Sequence, residues 1–150
     1  MISIVGPAIL VAGTPILAPA VLLSRKAPPV IVEYVIPRPG NFPHDPAVAA
    51  DGTVWYTDQR NSYIGHLDPE SGKIVDYPTP TPGSGPHGIT VAPDGAVWYT
   101  GQGAGLLGRL DPKTGKITEY PLPDGAKNPH TPIVYRGKVW FTDANNNSYG

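Results

Sequence analysis

Three histidines recur at a fixed spacing and are the residues of this chain best suited to chemistry. His44, His87 and His130 each follow a proline and stand 43 residues apart. A neutral imidazole can accept a proton or bind a metal ion near pH 7. His87 and His130 are therefore candidates for catalysis, and His44 is a candidate for contacting a substrate. Because all three recur, the repetition also favours a structural alternative, in which each ring bonds a neighbouring loop at the start of a strand.

Two aspartates could supply an acidic partner for these histidines. Asp58 and Asp143 each follow a Trp–aromatic–Thr triplet, and the corresponding position of the second copy holds Gly101. A carboxylate at this place could hold a hard cation together with an imidazole, which makes both aspartates candidates for substrate binding. The alternative is a turn residue that caps local backbone amides. The metal ligands, if there are any, remain unknown from these positions alone.

Several other kinds of chemistry lack their residues. The chain has no cysteine, so it offers no thiolate nucleophile and no cysteine zinc site. It has no glycine-rich phosphate loop between a strand and a helix, and no serine nucleophile elbow. The net charge is −1, with single scattered Lys and Arg residues, so we expect no nucleic-acid partner. His66 stands where the next repeat has Arg109, which favours a solvated outer position.

The histidines belong to a repeat that covers most of the chain. Three further markers recur with the same spacing: a Trp–aromatic–Thr triplet, an acidic residue followed by Tyr, and an Asp–Pro turn that ends in Gly. They begin at Trp55, Trp98 and Trp140, at Glu33, Asp76 and Glu119, and at Asp68 and Asp111. Self-similarity at a period of about 43 residues is typical of repeat architectures.

Each repeat contains four strand-like runs. In the second repeat these are residues 87–92, 96–100, 106–110 and 116–120, separated by turns rich in Gly, Pro and Asp. Four short antiparallel strands per 40 to 45 residues is the blade of a β-propeller. The sequence therefore predicts an all-β fold of four-stranded antiparallel blades. We expect the repeated Trp and Tyr residues to pack between blades.

The repeat divides the chain into predicted segments. Residues 1–30 form an apolar leader, 31–41 an outer strand, 42–84 the first repeat, 85–127 the second and 128–150 an incomplete third. This is about two and a half to three blades, whereas a closed ring needs six or seven. We therefore expect an N-terminal portion of a longer protein, whose last blade residues 31–36 would complete. The alternative is self-assembly of part-propellers into a ring, and open blade edges would favour self-association.

The leader predicts export. Residues 2–23 carry no charge, and Ala18–Ala20 resembles a loose signal-peptide cleavage site. Prolines and glycines weaken a spanning helix, although the stretch is long enough for one. As an anchor, the Arg25–Lys26 pair would place the blades in the cytoplasm. We therefore favour a cleaved signal and an extracytoplasmic location. A mis-assigned start or a disordered leader is the alternative.

The repeats resemble those of the streptogramin B lyase family, also called virginiamycin B lyase. The resemblance spans about residues 31 to 150. The motifs that carry it are Gly-Pro-His-Gly-Ile at 85–89, Asp-Gly-Ala-Val-Trp-Tyr-Thr at 94–100, Ile-Gly-His-Leu-Asp-Pro at 64–69 with its echo at 107–112, and Ile-Thr-Glu-Tyr-Pro-Leu-Pro at 117–123.

The resemblance implies a seven-bladed, monomeric propeller that opens a cyclic depsipeptide antibiotic by magnesium-assisted elimination. A general base would remove a proton α to the ester carbonyl, and Mg²⁺ would stabilise the developing enolate. The family's working residues are a histidine of the Pro-His type, an acid two positions before one such histidine, and an acid just after the Trp strand. Two positions before its histidines this chain has Phe42, Gly85 and Asn128. The complete set is thus not assembled within these residues.

Two other functions compete with a lyase. One is a non-catalytic extracytoplasmic propeller that binds a small molecule or a peptide at the mouth of its central channel. The fold alone does not separate binding from catalysis. The other is a hydrolase of the gluconolactonase type, which needs metal-binding carboxylates on several blades. Gly101 interrupts that series of carboxylates.

Overall fold

The described part of the chain forms three antiparallel β-sheets that lie side by side. A computed structural model describes residues 31–123 and 126–150. The first sheet has the strand order β1-β2-β3-β4, the second β5-β6-β7-β8 and the third β11-β10-β9. The strands are β1 (Pro43–Val48), β2 (Val54–Asp58), β3 (Tyr63–Leu67), β4 (Ile74–Pro78), β5 (Pro86–Val91), β6 (Val97–Gly101), β7 (Leu106–Leu110), β8 (Ile117–Pro121), β9 (Pro129–Tyr135), β10 (Lys138–Asp143) and β11 (Ser148–Tyr149).

Each sheet is one sequence repeat, and the first two sheets confirm the prediction of four-stranded blades, whereas the incomplete third repeat forms three strands. The four predicted runs of the second repeat agree with β5 to β8 to within one residue at each end. Turn glycines separate the strands at the predicted places. Gly95 has a φ of 85° and Gly115 a φ of 69°, backbone conformations that residues with a Cβ atom rarely adopt. The fold is therefore all-β, as predicted, and the blades form an unclosed part of a propeller.

The first strands of the three sheets lie closest together. β1 neighbours β5, and β5 neighbours β9, so the blades fan out from the edge where these strands meet. We call this edge the inner edge. In a propeller the first strand of each blade borders the central axis. The start of each first strand therefore brings its histidine to the inner edge.

Aromatic and aliphatic side chains fill the space between the first two sheets. Trp55 of the first sheet is buried in one cluster with Ile89, Val97 and Leu110 of the second. Tyr77 also packs against this cluster. The predicted inter-blade packing is thus found for these two aromatics. Trp140 and Tyr120, by contrast, are 39% and 45% exposed.

Two glycines allow a tyrosine to cross the neighbouring strand. A Cβ atom on Gly65 would lie 1.9 Å from the ring of Tyr56, and one on Gly108 would lie 2.0 Å from the ring of Tyr99. Both distances are far inside van der Waals contact. Each tyrosine hydroxyl then reaches an acid on the fourth strand, Asp76 at 3.3 Å and Glu119 at 2.8 Å. The repeated glycine is therefore required by packing.

The predicted outer strand lies along residues 31–36. These residues carry no strand assignment and pair with no described strand. A β-strand needs a hydrogen-bonded neighbour, and the sequence predicts that neighbour in the last blade, so this strand stays a prediction. The predicted leader, residues 1–30, lies outside the described residues. Within the described ranges, no helix has the length and apolarity to cross a membrane.

Candidate functional site

The three repeated histidines form a row along the inner edge. The ring centroids of His44 and His87 are 4.1 Å apart, and those of His87 and His130 are 3.9 Å apart. The rings are tilted by 51° and 47°. We call His44, His87 and His130 the histidine row. The structure thus brings together the three histidines that the sequence singled out.

Threonines of the second strands hold the backbone of this row. The Thr57 hydroxyl donates a 2.7 Å hydrogen bond to the carbonyl of His87, and the Thr100 hydroxyl donates an equal one to the carbonyl of His130. Each hydroxyl also accepts a hydrogen bond from a backbone N–H of its own sheet, at Asp45 and at Gly88. Each blade therefore positions the histidine of the next blade.

An aspartate that the sequence analysis missed joins the row. The Asp45 carboxylate lies 3.0 Å from Nδ1 of His44 through one oxygen and 4.0 Å from Nδ1 of His87 through the other. One potential ligand atom from each of these residues lies within 4.8 Å of the other two. The signal was present in the repeat, because the corresponding positions hold Gly88 and Thr131. Asp45 therefore makes the first end of the row chemically different.

His87, at the centre of the row, is buried and held neutral. Burial lowers the pKa of His87, the neighbouring His130 and His44 lower it further, and Asp45 offsets part of the shift. Its Nδ1 is buried with no hydrogen-bond partner. By contrast, Nδ1 of His130 lies 3.0 Å from the Thr131 hydroxyl. The predicted structural role, a ring bonded to a neighbouring loop, therefore leaves Nδ1 of His87 unexplained.

Asp58 is not part of this cluster. Its side chain is fully buried, and its carboxylate accepts hydrogen bonds from Arg38 and Asn61. Burial alone would raise the pKa of Asp58, but these hydrogen bonds outweigh that effect and hold it below its ordinary value. Arg38 also donates a 3.1 Å hydrogen bond to Asp76. The contacts of Asp58 thus tie the segment before the first blade to that blade.

Asp143 occupies the same repeat position in the third sheet with a different environment. One carboxylate oxygen accepts a 2.9 Å hydrogen bond from Asn146, and the other is buried with no hydrogen-bond partner. Asp143 lies opposite Pro129 in the strand register, and Pro129 directly precedes His130 in the sequence. In the second sheet this repeat position is Gly101. A Cβ atom there would lie 2.4 Å from Leu106, so the Leu106 side chain occupies the space that the aspartate takes in the other two sheets.

A chain of amides crosses the blades beside the row. The side chain of Gln59 donates to that of Gln102 at 3.1 Å, and Gln102 donates to Asn128 at 2.9 Å. These residues follow the second strands or precede a Pro-His pair. The sequence analysis did not identify them, although both glutamines share one repeat position. These three amides give the inner edge a set of hydrogen-bonding groups suited to a polar ligand.

A larger groove opens at the far ends of the first strands. It has a volume of about 790 Å³ and lies between the β1–β2 and β5–β6 turns. His66 lines it and stacks on Trp55 with a centroid distance of 4.1 Å. Burial lowers the pKa of His66, and the charges of Asp51 and Asp68 oppose that shift. Because the groove lies at the far ends of the first strands and is lined by none of His44, His87 and His130, it is separate from the histidine row.

The row does not have the ligands that magnesium prefers. Mg²⁺ selects octahedral oxygen ligands, whereas the cluster of His44, Asp45 and His87 offers two nitrogens and one carboxylate. Within residues 31–123 and 126–150 this cluster is the one place where three such side chains converge. The described residues therefore do not fit the family's implied ion.

Comparisons with known proteins agree with the repeat and the fold. The model of the virginiamycin B lyase family matches residues 25–150. A streptogramin B lyase structure is 33% identical, with a TM-score of 0.75, and the match covers 79% of this chain and 40% of that one. A catalytically inactive virginiamycin B lyase from Staphylococcus aureus, solved with quinupristin, is 32% identical with a TM-score of 0.68, over 78% and 43% of the two chains.

A more distant likeness concerns the fold alone. The extracellular domain of a putative hybrid two-component system from B. thetaiotaomicron is 16% identical, with a TM-score of 0.56, over 73% of this chain and 16% of that one. Among curated proteins, no sequence matches this chain. The chain spans about two fifths of the length of the solved lyases. On the extent of the family match and the identity to these lyases, the chain belongs to the virginiamycin B lyase family.

Proposed function

We propose that this chain contributes the histidine-lined rim of a lyase that opens the ring of streptogramin B antibiotics by elimination. The observation that carries the proposal is the histidine row itself, which lies at the inner edge of blades from a lyase family. A row of imidazoles flanked by amides offers both a proton acceptor and polar contacts for a cyclic depsipeptide.

The elimination requires a general base and consumes no water. A base removes a proton α to a carbonyl, and the ester C–O bond then breaks to leave an alkene and a carboxylate. His87 supports this role because its lowered pKa keeps the ring neutral at pH 7. His130 supports it because it lies at the other end of the row and is less buried than His87. His44, Asp58 and Asp143 remain the proposed substrate contacts.

Magnesium remains a proposal carried by the family alone. When bound, the ion would stabilise negative charge that develops on the carbonyl oxygen. Among the described residues, Asp143 offers a single buried carboxylate oxygen without a hydrogen-bond partner. One oxygen does not make an octahedral site, so we assign no step to the ion here.

A mass measurement tests the activity and its class together. The protein is incubated with quinupristin and Mg²⁺, and the products are separated by liquid chromatography and weighed. Elimination gives a ring-opened isomer of unchanged mass, whereas a lactone hydrolase of the gluconolactonase type adds one water. We expect the isomer from the lyase that includes this chain, and an Ala substitution at whichever of His87 and His130 is the base should slow its formation at least about a hundredfold.

Ligand binding without chemistry is the second candidate function. The groove between the first two sheets favours it, because a volume of about 790 Å³ is within the usual range for small-molecule sites. A rise in melting temperature with quinupristin, without any product, would support binding over catalysis. We also propose that the protein acts outside the cytoplasm, which cell fractionation with an antibody against the blades would test.

A further inference from the structure

We propose that His44, Asp45 and His87 form a binding site for a divalent transition-metal ion such as Zn²⁺, Co²⁺ or Ni²⁺. This site joins the first two blades and does not depend on the proposed lyase activity; an ion bound to His87 would leave His130 as the proposed base. Its ligands would be one imidazole nitrogen from each histidine and a carboxylate oxygen from the aspartate.

The spacing of the three groups suits such an ion. Nitrogen and oxygen ligands of zinc lie about 2.0–2.1 Å from the metal, so two ligands at a tetrahedral angle are about 3.3 Å apart. Asp45 oxygens lie 3.0 Å and 4.0 Å from the Nδ1 atoms of His44 and His87. All three potential ligand atoms lie within 4.8 Å of one another. Small rotamer adjustments therefore suffice to close the site around one ion.

His87 supplies the observation that a simple ion pair does not explain. The 3.0 Å approach of the Asp45 carboxylate to Nδ1 of His44 is an ordinary polar contact, and it would need no metal. Nδ1 of His87, however, is buried without a hydrogen-bond partner, and the His87 side chain is only 9% exposed. A buried nitrogen that has lost water costs free energy unless something binds it. A metal ion between His87 and Asp45 would satisfy it.

The access route favours metal binding. His44 and Asp45 have side chains that are 30% and 37% exposed. The site is therefore closed on the His87 side and open to solvent on the other. An ion could enter without any movement of the blades.

The type of ligand selects the metal. Imidazole suits Zn²⁺, Ni²⁺, Co²⁺ and Fe²⁺, whereas Mg²⁺ and Ca²⁺ prefer oxygen ligands. Two imidazoles and one carboxylate leave room for at least one water or ligand atom on the ion. This preference distinguishes the site from the magnesium that the family implies.

The site is confined to the first pair of blades. The residue after the histidine is Gly88 in the second blade, where a Cβ would lie 2.2 Å from the carbonyl oxygen of His130. The third blade has Thr131, whose hydroxyl contacts His130 instead. The backbone N–H of Asp45 is fixed by Thr57 at 3.1 Å, which sets the carboxylate between the two rings. The repeat thus breaks its symmetry at the one position that completes a ligand set.

Metal titration of the untagged full chain tests this site directly. Zn²⁺ or Ni²⁺ is titrated by calorimetry, and Co²⁺ is followed by its visible absorption. We expect one ion per chain, with Mg²⁺ at least about a hundredfold weaker. Asp45→Asn keeps the shape of the side chain and should weaken Zn²⁺ binding at least about tenfold. Asp45→Gly introduces the residue that the second blade uses, and it should do the same.

Matched controls separate this site from adventitious binding by surface histidines. His66→Gln removes the fourth histidine, which lies outside the cluster, and should leave the Zn²⁺ affinity unchanged. Circular dichroism without metal should show that each variant is folded. The proposal is overturned if Asp45→Asn and Asp45→Gly bind Zn²⁺ as tightly as the native chain, or if no ion binds. None of these measurements uses an antibiotic, so a failure here leaves the lyase proposal standing.

Discussion

The hydroxyl of Thr57 in the first sheet donates a 2.7 Å hydrogen bond to the backbone carbonyl of His87 in the second, and both residues are buried. Thr100 and His130 repeat this contact one blade later. The same hydroxyl of Thr57 accepts a hydrogen bond from the N–H of Asp45, so one side chain links two of the three proposed metal ligands. One oxygen atom therefore makes both a hydrogen bond within the first sheet and a hydrogen bond to the second sheet.

Removing this hydroxyl should loosen the first two blades. Thr57→Val keeps the shape but leaves the carbonyl of His87 and the N–H of Asp45 without their partner. We expect a loss of about 1–3 kcal/mol in the free energy of unfolding, measured by urea denaturation. Thr118→Val, on an exposed face of β8, is the control and should change it by less than about 0.5 kcal/mol. Equal effects of the two variants would contradict the linking role.

Removing Arg38 should destabilise the first blade. Its guanidinium bonds the fully buried Asp58 and stacks 4.3 Å from the ring of Tyr63. Arg38→Met leaves a buried carboxylate without its cation, so we expect a loss of about 3 kcal/mol at pH 7. Arg109→Met removes an exposed pair with Asp94 and should cost less than about 1 kcal/mol. Chemical denaturation of both variants under the same conditions makes the comparison.

The cost of Arg38→Met should depend on pH. The pKa of Asp58 is lower in the folded chain than its ordinary value, so the unfolded chain takes up the proton first. The stabilisation by this carboxylate is therefore fully present above about pH 3.9 and is lost as the pH falls through the lower folded pKa. In the variant the buried carboxyl has lost the cation that lowered its pKa, so the gap between native chain and variant should be largest near neutrality and narrow as the pH falls towards and below about 4. If the difference in free energy of unfolding between native chain and variant widened in acid, the predicted direction of the Asp58 pKa shift would be wrong.

His87 should make the chain less stable in mild acid. Its pKa is lowered in the folded state, mainly by burial. The unfolded chain binds the proton first, so stability is present above about pH 6.5 and falls as the pH drops towards the folded pKa. His87→Phe keeps a ring in the row and should remove this part of the pH dependence, in unfolding experiments without metal. His66, whose pKa burial also lowers, accounts for a slope that persists in the variant. An unchanged slope would argue against a shifted His87.

The open face of the third sheet should drive self-association. Ile133, Trp140 and Tyr149 expose 57%, 39% and 76% of their surfaces and line one apolar hollow of about 310 Å³. Contiguous apolar surface of this kind favours association. We expect oligomers at high concentration in analytical ultracentrifugation, and Ile133→Lys should shift them towards monomer. Val35→Lys, at another exposed apolar residue, should not.

Much of the fold was available from the sequence because its causes are local. Alternating residue types and turn glycines within 43 residues specify strands such as β7 (Leu106–Leu110), and each repeat contains its own pairing partners. Residues 31–36 show the limit of that reasoning. Their pattern suits a strand, but strand formation depends on a neighbour that the local sequence does not name.

The candidate site divides in the same way. The sequence by itself determined that His44, His87 and His130 are equivalent, because equivalence is a property of the repeat. It did not determine which side chains meet, since contacts between blades depend on how whole sheets pack. Only the tertiary structure decided that Arg38 engages Asp58, and that Asp45 faces His87 from the neighbouring blade. A distance of 4.0 Å between residues 42 positions apart is set by inter-blade packing and the hydroxyl of Thr57, which no local pattern encodes.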